Sequence, residues 1–217
     1  MSFMELSIEV GNHLKASVPK QWDGKACVLE MKEVGGHHWR QMEWIGFYFQ
    51  FQCDRYLKTI IQIPGPKYGR VEFDGFLGIP WDFKAHAINT SSHQVIVNDS
   101  GAIASGIQEY GAVGLILALG TVTYNDRNRT FQKWHEVLKG GKSKYEVERI
   151  ERGAWSRLRK THFDLQQISF IKITDATLVK CGSFQSDFRN SNGNPRRPKV
   201  LIDLEKVEDE TLHFVEF

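Results

Sequence analysis

The sequence is poor in the features that mark several large classes of protein. It has 217 residues but three cysteines, Cys27, Cys53 and Cys181, which are odd in number and widely spaced. They offer neither a disulfide framework nor a CxxC metal site, so we expect reduced, buried thiols in a cytoplasmic protein. The longest apolar run, 113–122, is about half of the roughly 20 residues that a transmembrane helix needs. Because the N-terminus also lacks the basic-then-apolar pattern of a signal peptide, we predict neither membrane insertion nor secretion.

The motifs of several enzyme classes are missing as well. The chain has no GxSxG nucleophile elbow, no Walker A loop, no GxGxxG after a strand and no HExxH. Serine hydrolases of the α/β-hydrolase type, P-loop NTPases, Rossmann dinucleotide enzymes and zinc metalloproteases are therefore not expected.

The chain has little net charge, +2 at neutral pH, but its basic residues are clustered. Between Lys139 and Lys160 there are eight Lys or Arg against three Glu, and a second basic cluster follows at 189–199. Such clusters are compatible with a solvated helix face and a polar loop, or with a surface that contacts phosphates. Both interpretations stay open at this point.

Hydrophobic periodicity predicts an α/β protein. No repeat or linker divides the chain, so we expect a single domain over 1–217. The patterns predict helices at 3–16, 38–58, 101–110, 130–138 and 143–160, and strands at 26–32, 70–76, 81–87, 94–97, 112–123, 165–173, 199–203 and 212–216.

The segment 81–87 alternates between apolar and polar residues and carries the best candidates for chemistry. A period of two puts Asp82 and Lys84 on one face of a strand, and alternation in the preceding predicted strand puts Asp74 on its polar face. Two carboxylates can hold Mg²⁺, and a cation beside an attacking water suits phosphodiester hydrolysis. Glu43, on the predicted helix before them, is a candidate third acid.

The same acid, acid-x-Lys pattern also occurs at Asp23, Glu30 and Lys32. An Asp-x-Lys on a half-exposed strand is commonly no more than two solvated side chains. Sequence context favours the set at 74–84, because a strand, a capped helix and a buried strand follow it.

The string from Arg70 to Ala87, with its FDG, its spacing and its WDFKAHAIN continuation, resembles the active-site hairpin of the PD-(D/E)XK nuclease superfamily. WRQMEWIG at 39–46 is similar to the helix that carries a Glu in that superfamily, and 89–110 resembles the layout of type II restriction endonucleases. The likeness covers about 38–123, which would be the catalytic core. Residues 124–217 align with nothing, and a DNA-binding or dimerisation role is open for them.

The resemblance implies a mixed central sheet flanked by helices, a homodimer on double-stranded DNA and Mg²⁺-dependent cleavage. It implies that Asp74 and Asp82 ligate the metal, that Lys84 positions or activates water, and that Glu43 assists. The function predicted from it is a sequence-specific endonuclease of restriction type. A repair or junction-resolving nuclease, a non-catalytic nucleic-acid-binding protein and an unrelated α/β protein remain as alternatives.

Two groups of residues are predicted to contact DNA. Polar residues after the catalytic strand are candidate readers of base edges, although helix capping would explain two of them equally well: Asn89, Thr90, Asn98, Asp99 and Ser100. Basic residues of the 139–160 cluster are candidate phosphate contacts: Arg149, Arg152, Arg157 and Arg159.

Overall fold

Helices and strands alternate along the chain in a computed structural model, which describes residues 2–154, 158–186, 189, 194–208 and 212–217. The α-helices are α1 (Phe3–Ser17), α2 (Gly24–Glu33), α3 (Trp44–Leu57), α4 (Ser100–Tyr110), α5 (Thr130–Leu138), α6 (Lys144–Glu151) and α7 (Asp175–Cys181). The strands are β1 (Gln21–Asp23), β2 (Lys67–Tyr68), β3 (Val71–Glu72), β4 (Gly75–Leu77), β5 (Ile79–Ala87), β6 (Gln94–Asp99), β7 (Val113–Thr123), β8 (His162–Ile173), β9 (Gly182–Gln185), β10 (Lys199–Asp203) and β11 (Leu212–Glu216). Short 3-10 helices cover His37–Arg40 and Leu204–Lys206.

The main sheet is mixed. Its strands follow the order β1-β8-β7-β5-β4, and β11 pairs with β8. β5 and β7 are parallel, whereas β4–β5 and β7–β8 are antiparallel. The parallel pair is joined by a crossover through β6 and α4, as parallel strands require. The predicted α/β fold with a mixed central sheet flanked by helices is confirmed, and the sheet takes strands from both sides of residue 124.

Each face of the sheet carries its own core. On one face α1, α2 and α3 pack an aromatic core in which the Trp22 ring lies 4.8 Å from that of Phe163. On the other face α4, β6, β10 and α7 cover an aliphatic core. The alternation along β5 sends Trp81 and Phe83 into the aromatic core, so Asp82 and Lys84 face the other way.

A glycine in the buried strand β7 allows the close packing beside β5. A Cβ atom at Gly114 would stand 2.3 Å from the Trp81 ring, closer than atoms approach one another. Trp81 is fully buried against this position. The glycine therefore makes room for the indole that anchors the strand carrying the candidate acids.

Several of the predicted elements are wrong. The strand expected at 70–76 is divided between β3 and β4, which belong to different sheets, and the helix expected at 38–58 begins only at Trp44. Residues 26–32 were expected to form a strand, but they lie in α2, whose buried Cys27, Val28 and Met31 have helical spacing. Asp23 caps this helix by accepting hydrogen bonds from the Lys25 and Ala26 amides at 3.0 and 2.9 Å. The predicted helix 143–160 ends at Glu151, because Gly153 turns the chain with a φ of 69°.

No helix in the described part of the chain is both long and apolar enough to cross a membrane.

Candidate functional site

A tight hairpin brings Asp74 to the strand that carries Asp82 and Lys84. β4 and β5 pair with Gly75 opposite Trp81, so the next position along the register sets Asp74 opposite Asp82. Gly78, with a φ of 70°, supplies the left-handed turn between the strands. The Phe83 amide donates to Asp74 Oδ2 at 2.6 Å, which fixes this carboxylate against β5.

The three predicted catalytic side chains form one cluster. Lys84 Nζ lies 2.7 Å from Asp82 Oδ2 and 3.9 Å from Asp74 Oδ2. The exposed fraction of the side chain rises from 3% for Asp82 through 14% for Asp74 to 31% for Lys84. The carboxylates therefore form the floor of the site, and the ammonium group lies nearest to solvent.

Burial and charge set the protonation of the cluster. Burial raises the pKa of Asp82, with a further contribution from the Asp74 charge, although Lys84 acts in the opposite direction. Burial alone would lower the pKa of Lys84, but the Asp82 and Asp74 carboxylates outweigh it and raise that pKa above its ordinary value. Lys84 is thus a permanent cation at neutral pH beside two crowded carboxyl groups.

Helix α3 supplies two polar residues that the sequence patterns did not single out. Gln50 Nε2 donates to Asp74 Oδ1 at 2.7 Å, so both oxygens of Asp74 are held. Asp54, one turn further along the helix, has its pKa raised to about 6 by burial and by the negative charge of Asp74. Their spacing of four residues, in a helix rich in aromatic residues, is the sequence feature that could have indicated a shared polar face.

The structure does not bring Glu43 to the other acids. It is the N-cap of α3, seven residues before Gln50, which is about 10 Å along a helix. Its carboxylate lies 3.4 Å from Arg159 Nη1 and 3.5 Å from Lys160 Nζ. In this structure Glu43 therefore lies beside two cations of the 159–160 segment and not with Asp74 and Asp82. Its part in catalysis stays a prediction.

The donor set fits a magnesium ion. Among the described residues no group of three or more His, Cys, Asp and Glu side chains is arranged to hold a metal. Mg²⁺, however, is commonly held by one or two carboxylates and completes its shell with waters and substrate phosphate. Asp82 Oδ2 is buried and accepts no well-aligned hydrogen bond, although Lys84 lies within ion-pair distance. Asp74 and Asp82 would therefore hold such an ion.

The second acid-x-Lys match in the sequence has a structural role. Asp23 caps α2, and Glu30 accepts hydrogen bonds from the Tyr48 hydroxyl and Arg55 Nη1, both at 2.8 Å. These contacts tie α2 to α3. Asp23 ends β1 and Glu30 lies on the helix that Asp23 caps, so the two acids do not come from two neighbouring strands.

The candidate base readers are engaged with the protein itself. Asn89 donates to the Val122 carbonyl and accepts from its amide, both at 2.9 Å, and Thr90 donates to the Ala87 carbonyl. Asn98 and Asp99 are buried, and Asp99 forms ion pairs with Arg197 and Lys199. The Ser100 amide donates to the Pro198 carbonyl at the start of α4. Base reading by these five residues stays a prediction.

The candidate phosphate contacts occupy different places. Arg149, on α6, and Arg159 line one cavity, whereas Arg152 Nε donates to the Glu148 carbonyl on the surface. Arg157 lies outside the described residues. The predicted basic helix is thus divided between a cavity wall and an exposed helix end.

Comparisons with known proteins give one remote likeness. No protein-family model and no curated protein matches the chain. Among solved structures it is similar to the restriction endonuclease BglI bound to its DNA recognition sequence, with a TM-score of 0.45 and 10% identity over 99% of this chain and 87% of that one. Because this likeness is weak, the geometry of the site carries the functional conclusion.

Proposed function

We propose that the chain is a Mg²⁺-dependent endonuclease of restriction type, which cleaves double-stranded DNA at a specific sequence and acts as a homodimer. The observation that supports it best is the cluster in which Lys84 Nζ lies 2.7 and 3.9 Å from the carboxylates of Asp82 and Asp74. The PD-(D/E)XK resemblance of 70–87 supports the same assignment.

Each residue of the cluster has a task in the proposed reaction. Asp74 and Asp82 would hold Mg²⁺, which when bound polarises the phosphodiester and acidifies a water. Lys84 is charged and partly open to solvent, so it can donate a hydrogen bond to the attacking water or to a phosphate oxygen. Water adds its oxygen to phosphorus, the bond to the leaving sugar oxygen breaks, and that oxygen takes up a proton.

Gln50 and the Phe83 amide act as positioning groups. They donate to the two oxygens of Asp74 at 2.7 and 2.6 Å, which limits the rotation of this carboxylate. A fixed carboxylate keeps the reacting groups within the narrow geometry that catalysis needs.

Two other functions remain as competitors. A repair or junction-resolving nuclease would use the same acids but recognise the shape of its substrate. A protein that only binds nucleic acid would not need a lysine held between two carboxylates, so the complete Asp74, Asp82 and Lys84 set favours catalysis.

Digestion of a plasmid of known sequence with Mg²⁺ tests the proposal. We expect discrete fragments from the wild type and none from Asp82→Asn, which removes a ligand charge but little volume. Glu30→Gln is the matched control, because it removes an acid of the structural α2–α3 contact and should leave cleavage intact.

The pattern of products separates the competitors. Cleavage only at junctions or flaps would replace the restriction assignment with a structure-specific nuclease. Normal cutting by Asp82→Asn would refute the metal assignment, and loss of cutting in Glu30→Gln with retention in Asp82→Asn would move the active site to the other acid pair.

A further inference from the structure

A cavity of about 500 Å³ opens at the N-terminal end of α3, away from the Asp74 and Asp82 carboxylates. Four of its lining residues are cations: Arg40, Lys139, Arg149 and Arg159. The side chain of Arg159 is 12% exposed, and its Nε atom is buried without a hydrogen-bond acceptor among the described residues. A guanidinium with an unused donor is suited to bind an oxyanion.

The cations are crowded enough to affect their neighbours. Burial lowers the pKa of Lys139, and repulsion by Arg159 and Arg40 adds to this effect against the opposing Glu136 and Glu146. Burial also lowers the pKa of His135 to about 4, and Lys139, Arg159 and Arg40 again contribute. Arg40, Lys139 and Arg159 therefore lie close together, and Glu136 and Glu146 offset part of their charge.

The three acids that line the cavity differ in how firmly the protein holds them. Glu136 and Glu146 accept hydrogen bonds from the Gln132 amide at 2.9 and 3.3 Å, which engages them within the protein. Glu43 is different, because its side chain is mostly exposed and meets Arg159 and Lys160 only at 3.4 and 3.5 Å. A phosphate oxygen could displace this loosely held carboxylate.

One face of α3 connects the cavity with the acid cluster. Glu43 and Phe47 line the cavity, and Gln50 and Asp54 lie on the same face nearer to Asp74. Seven residues of helix separate Glu43 from Gln50, about 10 Å.

We infer that this cavity is a phosphate site, which binds a backbone phosphate of the substrate DNA near the phosphodiester held at Asp74 and Asp82, with Glu43 as the carboxylate that it displaces. The inference rests on the proposed nuclease function. It assigns to Arg40, Lys139 and Arg159 a single ligand oxyanion, and to Glu43 the place of the carboxylate that this oxyanion displaces.

Binding of a fluorescent DNA duplex, measured by anisotropy in EDTA to prevent cleavage, tests the inference. Arg159→Gln and Lys139→Gln should each weaken binding about five- to tenfold and reduce the salt dependence by about one counterion. Glu43→Gln should tighten binding about two- to fivefold, because it removes the carboxylate that competes with the phosphate. Lys15→Gln, which removes the same charge from an exposed position on α1, should change neither affinity nor cleavage.

Thermal unfolding checks that each variant is folded. If Arg159→Gln fails to fold, the affinity of Lys139→Gln, which changes a half-buried residue, tests the inference instead. If both cation variants bind like Lys15→Gln while the wild type binds and cuts DNA, the inference is overturned and the nuclease function stands. If the wild type neither binds nor cuts DNA, the function fails and the inference with it.

Two further outcomes would also overturn it. Calorimetry with inorganic phosphate distinguishes a strand phosphate from a free phosphate compound: variants that lose phosphate but keep duplex affinity would show a site for the free compound. Unchanged affinity in Glu43→Gln would show that its carboxylate does not compete with a bound phosphate.

Discussion

Asp54 offers a test of the electrostatics around Asp74, because this half-buried acid lies near a second one. Burial and the Asp74 charge raise its pKa from an ordinary value of 3.8 to about 6. An acid whose pKa is higher in the folded state than in the unfolded state ionises more easily when the chain unfolds. Its ionisation therefore destabilises the folded state. The penalty is absent below about pH 3.8, grows as the pH rises to about 6, and is complete above it.

Asp54→Asn removes this charge with almost no change of volume and should therefore stabilise the fold at pH 8. A shift of about two pKa units corresponds at most to about 3 kcal/mol. Since the side chain is partly open to solvent, we expect about 1 kcal/mol, or a rise of about 2–4 °C in Tm for a chain of this size.

Urea unfolding in EDTA, measured across pH 4 to 8, provides the assay. The increase in the free energy of unfolding caused by Asp54→Asn should appear between about pH 4 and 6 and stay constant above pH 6. Glu9→Gln, at an exposed position on α1, is the control and should change the free energy of unfolding by less than about 0.5 kcal/mol at every pH. A gain in stability that does not depend on pH, or a loss at pH 8, would refute the raised pKa of Asp54.

Three other predictions concern the strand that carries the site and its end. Lys84→Gln should lower the cleavage rate in a plasmid assay by a factor of about 10² or more, while duplex binding survives. His86→Ala, further along the same face, should lower that rate only a little. The reverse result would favour a histidine-based mechanism. Because burial raises the pKa of Asp82, Mg²⁺-dependent cleavage should fall as the pH drops below neutral, and an unchanged rate at pH 5.5 would contradict this. Asn89→Ala should destabilise the fold by about 1–3 kcal/mol in urea unfolding, since it leaves both backbone groups of Val122 without a partner, and unchanged stability would contradict that role.

Local patterns in the sequence determined much of the architecture. The period of two in 81–87 predicted β5 and put Asp82 and Lys84 on one face, and the apolar run after α4 predicted the buried strand β7. Such features depend on residues within one element, whose spacing alone decides which side chains share a face. The proximity of Asp74 to Asp82 followed from the short hairpin between them.

Tertiary packing decided the rest of the candidate site. Nothing in the spacing of Gln50 relative to Asp74 shows that these residues form a hydrogen bond, because the contact depends on how α3 packs across the sheet. The same packing sets Glu43 beside Arg159, more than a hundred residues away in sequence, and not beside the acids. The sequence by itself thus determined which residues share strand β5, whereas the fold decided which side chains from other elements contact them.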